Sequence, residues 1–172
     1  MFKFFRTAKA TAYVENMLTS FIKPANVFGP IPNSIYEDPY VLGYLMALAT
    51  SGAAMANNEV ADGKLSVADA ANVALRGLED AAGASGRMAV SNVLKYKNNA
   101  QFHDGYHHGD KMISVMFGIL ASENDLEVAE AFKAASHLKK IVDPSAADKV
   151  LAAQHLHVVH FNIYIREKHL NS

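Results

Sequence analysis

Residues 40–56, YVLGYLMALATSGAAMA, form an almost wholly apolar run without a charged side chain. Small side chains recur along this run at steps of three and four residues, which places them on one face of a helix. They are Gly43, Ala47, Ser51 and Ala54. A face of small residues lets a second backbone approach closely, so the run predicts a buried central helix. A membrane span is less favoured, because the run is shorter than the ~20 residues of a full span and no basic flank follows it.

Helical patterns continue on both sides of this run. Ser66 is placed to cap a helix, with Asp69 three residues later as its capping-box partner. Near the C-terminus, Asp143 is placed as a cap and Pro144 as the first residue of a long helix. We therefore expect an all-α fold, a single domain over residues 1–172 with about six or seven helices. Besides the central run, the predicted helices cover residues 1–22, 67–82, 87–97, 111–121 and 145–168.

A proline-rich segment separates the first two predicted helices. Four of the five prolines lie within residues 23–39. Proline removes a backbone donor and disfavours helix at the preceding residue, so the segment predicts an extended arm between the N-terminal helix, 1–22, and the helical body, 40–172. Its apolar side chains, such as Phe28 and Ile35, predict contact with an apolar surface. That surface belongs either to the same chain or, if the arm is exchanged in a homodimer, to a second subunit.

Composition excludes several classes of function. Lys and Arg number 16 against 17 Asp and Glu, so no basic field is available for a nucleic-acid backbone. The chain has no cysteine, which excludes disulfides, zinc–thiolate sites and thiol nucleophiles. The N-terminus lacks the apolar core of a secretory signal, and we expect a cytoplasmic protein. Contact of its phenylalanine-rich, basic first helix with a membrane surface is less favoured than packing against the body.

The histidines suggest where chemistry would occur, because all eight lie after residue 102. The densest segment is residues 101–110, QFHDGYHHGD. Its two glycines predict a turn that leads into the next helix, with Asp110 available as a cap. Imidazole and carboxylate groups are ligands for divalent transition metals. The segment offers His103, Asp104, His107, His108 and Asp110.

A second group of histidines, His155, His157 and His160, lies on the predicted last helix. Helical spacing places His157 and His160 on one stripe and His155 on another, so this helix alone cannot direct all three imidazoles at one ion. A metal site would need His157 and His160, or His155, to meet the loop at 103–108 or His137 from another helix. The candidate metals are zinc, iron, manganese and nickel, although no cofactor is required. The alternative for each histidine is a neutral imidazole hydrogen-bonded within the core.

Two helix starts repeat a short pattern, LSVADA at 65–70 and LEVAEA at 126–131. The first follows Ala61, Asp62 and Gly63. Together with Asp69 and Glu130, these residues resemble the helix starts of tellurite-resistance TerB-like domains. The resemblance implies an all-helical bundle whose acidic residues face a divalent-metal site, although the turn before the second start lacks the glycine.

No complete catalytic motif is present; a His-Glu-x-x-His metalloprotease motif, for example, is absent. Three functions stay open. The first is a small soluble helical interaction or regulatory protein that forms a homo-oligomer. The second is a divalent-metal protein or metal-assisted hydrolase that uses the 103–110 cluster. The third is a pH-responsive module whose enclosed histidines become charged near about pH 6.

Overall fold

The computed structural model describes residues 2–120, 125–141 and 147–171, which form a bundle of α-helices without a β-strand among them. This confirms the predicted all-α fold. Buried apolar side chains from the helices join in one core cluster. The helices are α1 (Phe2–Ile22), α2 (Pro39–Glu59), α3 (Val67–Ala81), α4 (Gly86–Tyr96), α5 (Ala100–Met116), α6 (Leu126–Ile141) and α7 (Asp148–His157).

Helix α2 is the centre of the bundle and contacts α1, α3, α4 and α5. Asp38 caps its N-terminus: the carboxylate accepts hydrogen bonds from the backbone N–H groups of Tyr40 (2.8 Å) and Val41 (3.2 Å), and Pro39 is the first residue of the helix. Among the described helices, α2 is the one long and apolar enough to cross a membrane, but 67% of its apolar stretch is buried in the bundle. The predicted buried central helix is confirmed.

Helix α5 contains the segment predicted to be a turn, so that prediction is wrong. Its glycines lie where α5 packs on α2: a Cβ at Gly105 would be 2.0 Å from the carbonyl oxygen of Tyr40. A Cβ at Gly43, on α2, would be 2.0 Å from the carbonyl oxygen of Phe102. The two backbones therefore touch, and this packing offsets the roughly 1 kcal/mol that each glycine costs in a helix.

The start of α5 also differs from the prediction. Asn99 caps the helix, accepting hydrogen bonds from the backbone N–H groups of Gln101 (2.8 Å) and Phe102 (3.4 Å). Asp110, predicted as a cap, is an exposed residue in the interior of the helix. The cap at α3 agrees with the sequence, because Ser66 Oγ accepts a hydrogen bond from the backbone N–H of Asp69 at 3.2 Å.

The proline-rich arm is less extended than predicted. It forms two short 3-10 helices, Lys23–Phe28 and Asn33–Glu37, joined by residues 29–32. The fixed φ of proline suits the first turn of such a helix, so Pro24 is accommodated there and does not prevent the helix. Ile35 and Tyr36 are buried in the core of the same chain.

The C-terminal helix changes its winding after α7. It continues as π-helix over Val158–Ile163 and again over Arg166–Leu170. A π turn holds more residues than an α turn, so side chains three positions apart no longer share a stripe. His157 and His160, predicted to share one, make separate sets of contacts. The predicted start of this helix at Asp143 and Pro144 lies outside the described residues.

Asn162, in the first π segment, is 5% exposed, and its side-chain oxygen has no hydrogen-bond partner among the described residues. A buried acceptor without a donor costs free energy that a leucine of similar size would not. We expect Asn162→Leu to raise the free energy of unfolding by about 1 kcal/mol, measured by urea denaturation.

The matched control is Asn92→Leu, because the Asn92 amide donates to the carbonyl oxygen of Tyr36 at 2.9 Å. This variant should lose about 1 kcal/mol. A loss of similar size in Asn162→Leu would show that its amide makes a stabilising bond.

Candidate metal centre

Three potential metal ligands from separate elements meet at one point: His108 on α5, Glu127 in the first turn of α6 and His160 on the first π segment. One ligand atom from each lies within 4.8 Å of the other two, and all three side chains are half-buried. Among the residues that the structure describes, no second group of three His, Cys, Asp or Glu side chains is this close. We call these three residues the triad.

Glu127 contacts both His160 and Lys111 through its two carboxylate oxygens. Its Oε1 accepts a hydrogen bond from His160 Nε2, and its Oε2 pairs with Lys111 Nζ at 2.5 Å. Lys111 also lies 3.0 Å from Asp125 Oδ2, and its side chain is only 9% exposed. Asp125 in turn accepts hydrogen bonds from the backbone N–H groups of Glu127 (3.0 Å) and Val128 (3.2 Å). The capped start of α6 therefore holds the carboxylate in position.

Tyr40 and ring stacking orient His108. The Tyr40 hydroxyl is 3.0 Å from His108 Nδ1, and Tyr40 itself stacks on Tyr164 with ring centroids 4.3 Å apart. The hydroxyl of Tyr164 donates to Asp38 Oδ2 at 3.1 Å. The imidazoles of His108 and His160 stack almost in parallel, with centroids 3.9 Å apart and an interplanar angle of 10°. The lone pair of an imidazole nitrogen lies in the plane of its ring, so two parallel rings direct their lone pairs along parallel lines. Both rings must therefore tilt before His108 and His160 can bind one ion.

The ionisation states at the triad suit a divalent cation. Burial lowers the pKa of His160, and burial together with the nearby His160 lowers the pKa of His108. Burial alone would raise the pKa of Glu127, but the hydrogen bonds from Lys111 and His160 and the positive charge of Lys111 outweigh it and lower the pKa. At pH 7 the imidazoles are therefore neutral and the carboxylate is ionised, which is the form that binds metal.

The structure brings together only two of the candidate ligands identified from the sequence, His108 and His160. The side chains of His103, Asp104, His107 and Asp110 are exposed along α5 and do not join the triad.

His157 lies in the core and uses both ring nitrogens there. Its Nε2 donates to the carbonyl oxygen of Phe21 at 2.9 Å, because a carbonyl only accepts. Its Nδ1 then accepts from the hydroxyl of Tyr44 at 3.0 Å. With both nitrogens engaged, His157 behaves as the hydrogen-bonded core histidine that was the alternative to a ligand.

Three residues that build the site were not among the ligands predicted from the sequence: Glu127, Lys111 and Asp125. Asp125 precedes the LEVAEA helix start and could have been recognised as its cap. No sequence pattern indicates that Glu127, one turn into α6, faces histidines on α5 and on the C-terminal helix. That contact depends on how the three elements pack.

Comparison of the chain with protein-family models, with curated proteins and with solved structures gives no match. The resemblance to TerB-like domains stays a prediction. Asp62 is exposed beside Lys64 at 3.7 Å, and Asp69 accepts a hydrogen bond from Ser66 Oγ at 2.7 Å. Because no comparison indicates a function, the functional proposal below rests on the side chains of the triad.

Proposed function

We propose that this protein binds a divalent transition-metal ion through His108, Glu127 and His160. The observation that supports the proposal is the meeting of two neutral imidazoles and one ionised carboxylate from three separate elements. Buried polar side chains can satisfy one another in pairs, whereas three mutually close ligand atoms are what a metal ion requires.

The donor set indicates the kind of ion. Two nitrogens and one oxygen suit zinc, iron, manganese or nickel rather than calcium or magnesium, which take oxygen ligands. His108 would bind through Nε2, because Tyr40 engages its Nδ1 and can serve as the outer partner that orients a ligating histidine. Three protein ligands leave a coordination position for water, so metal-assisted hydrolysis is the catalytic form of this proposal.

Three features oppose metal binding and lower the expected affinity. The ion must replace the hydrogen bond between His160 and Glu127, and the stacked imidazoles must tilt toward it. Lys111 places a positive charge on the same carboxylate. We therefore expect a site that is completed by the ion rather than fully formed in its absence.

The proposal is tested by titrating the untagged protein with zinc in competition with a chromophoric chelator. We expect one zinc ion per chain. His160→Gln and Glu127→Gln should each weaken zinc binding by about 100-fold or more, since even outer partners of ligands cost about 10–100-fold.

His103→Gln and His107→Gln are matched controls, because these exposed histidines lie on the same helix as His108 and outside the triad. They should leave the affinity within about twofold, which is 0.4 kcal/mol. No bound zinc, or a loss confined to the two control variants, would contradict the proposed site. Circular dichroism of every variant checks that the bundle is intact.

A second proposal is an interaction role as a homo-oligomer, favoured by aromatic side chains exposed at the start of α1. Phe4 and Phe5 are 70% and 58% exposed, with ring centroids 6.4 Å apart. Exposed aromatic pairs are enriched where proteins associate. Light scattering should give the mass of a dimer or larger, and Phe4→Ser with Phe5→Ser should shift it toward the monomer. A monomeric mass at all concentrations would exclude this role.

A further inference from the structure

We infer that the metal-loaded triad takes a small oxyanion, a carboxylate or phosphate group, held jointly by the ion and by Lys111. This inference rests on the proposed metal site and names the class of ligand that the site would accept. It depends on the charges that surround the triad and on the third N–H of Lys111, for which no described residue other than Glu127 and Asp125 serves as an ion-pair partner.

The net charge around the triad is negative without an ion and becomes positive with one. Glu127 and Asp125 each carry a negative charge and Lys111 carries a positive one. The two imidazoles add no charge, because histidine binds a metal ion in its neutral form. The group therefore has one net negative charge, and a dication converts it to one net positive charge. A partly buried site with uncompensated charge is costly, and an anionic ligand removes that cost.

Lys111 can contact such an anion directly. An ammonium group has three donors, and Glu127 and Asp125 account for two of them. Lys111 Nζ lies 2.5 Å from Glu127 Oε2. The other oxygen of this carboxylate, Oε1, is the proposed metal ligand, so the ammonium group lies close to the metal position. An oxyanion on the open position of the metal can therefore also accept the third N–H of Lys111. The Glu127 side chain is 34% exposed, so this carboxylate is the part of the triad that solvent reaches most.

Lys111 thus has opposite effects on the binding of the metal ion and on the binding of the anion. It repels the cation and competes for Glu127, but it attracts the anion. Removal of its charge should strengthen metal binding and weaken anion binding. A merely structural role for Lys111 would weaken both together.

The test uses cobalt(II), which takes the same nitrogen and oxygen ligands and absorbs visible light. Inorganic phosphate, and acetate in a parallel experiment, is titrated into the cobalt-loaded full chain. We expect a spectral change that saturates, with no phosphate binding to the metal-free protein by calorimetry. Lys111→Met should weaken phosphate binding by about 10-fold while cobalt binding is retained or tightened. Lys111→Arg, which keeps the charge, should retain phosphate binding.

The outcomes separate the two proposals. Failure of cobalt and zinc to bind would overturn the metal site itself. Metal binding without a response to phosphate or acetate would overturn only the oxyanion inference. Equal phosphate affinity in the wild-type chain and Lys111→Met would also overturn it, because the ion alone would then hold the anion.

Discussion

Gly105→Ala is expected to lower the free energy of unfolding by about 3 kcal/mol, although alanine is the better helix former by about 1 kcal/mol. The added Cβ would lie 2.0 Å from the carbonyl oxygen of Tyr40, and a backbone atom cannot rotate away as a side chain can. Helices α2 and α5 must separate to admit it, which opens the core along their contact. Urea denaturation measures the loss.

The control is Asp104→Ala, an exposed neighbour on the same helix, which should change stability by no more than about 0.5 kcal/mol. Gly43→Ala places a Cβ equally close to Phe102 across the same contact. Because one separation of the helices admits both methyl groups, the double variant should lose less than the sum of the single losses. A stable Gly105→Ala variant would show that the two helices do not touch as described.

The second large effect is a loss of stability in acid caused by His157. Burial lowers the pKa of this imidazole to about 4, with the hydrogen bond to Phe21 only partly opposing the shift. The ordinary pKa of 6.5 applies to the unfolded chain. Below pH 6.5 the unfolded state therefore binds a proton that the folded state does not bind until about pH 4. Stability should fall by about 3 kcal/mol across that interval and be fully present above it.

The physical reason is the pair of hydrogen bonds at the ring. Protonation would convert Nδ1 from an acceptor to a donor, so the buried hydroxyl of Tyr44 could no longer donate to it. Denaturation curves between pH 4 and 7 measure the effect. His157→Gln should be less stable at pH 7 but should depend less steeply on pH. The control His103→Gln, at an exposed position, should keep the wild-type slope.

An unchanged slope in His157→Gln would assign the acid response to other groups. His108 and His160, whose pKa values are also lowered by burial, act in the same direction. The loss of stability occurs mainly below pH 6.5. A pH-responsive role therefore stays a prediction, and it applies to acidic conditions.

The sequence was most informative where chemistry is local. The apolar run at 40–56, the Ser66 cap and the helix over 87–97 correspond to α2, the start of α3 and α4. It was misleading at Gly105 and Gly109, because glycine both ends helices and lets them touch. Only the position of α2 beside α5 shows which of these effects applies.

The sequence predicted only part of the candidate site, because residue type alone does not show which side chains meet in the fold. Histidine content identified His108 and His160 as potential ligands, but equally identified His103, His107 and His157. Burial selects among them: two are exposed, one is enclosed with both nitrogens engaged, and two meet at Glu127.

Helix content and the Ser66 cap of α3 followed from the chain itself, because hydrophobic periodicity and capping act over a few residues. The meeting of His108, Glu127 and His160 did not, because it depends on three contacts remote in sequence. These are the glycine-mediated packing of α5 on α2, the hydrogen bond from Lys111 to Glu127, and the hydrogen bond from His160 to Glu127. Packing free energy over the whole core selects that arrangement, and no local pattern encodes it.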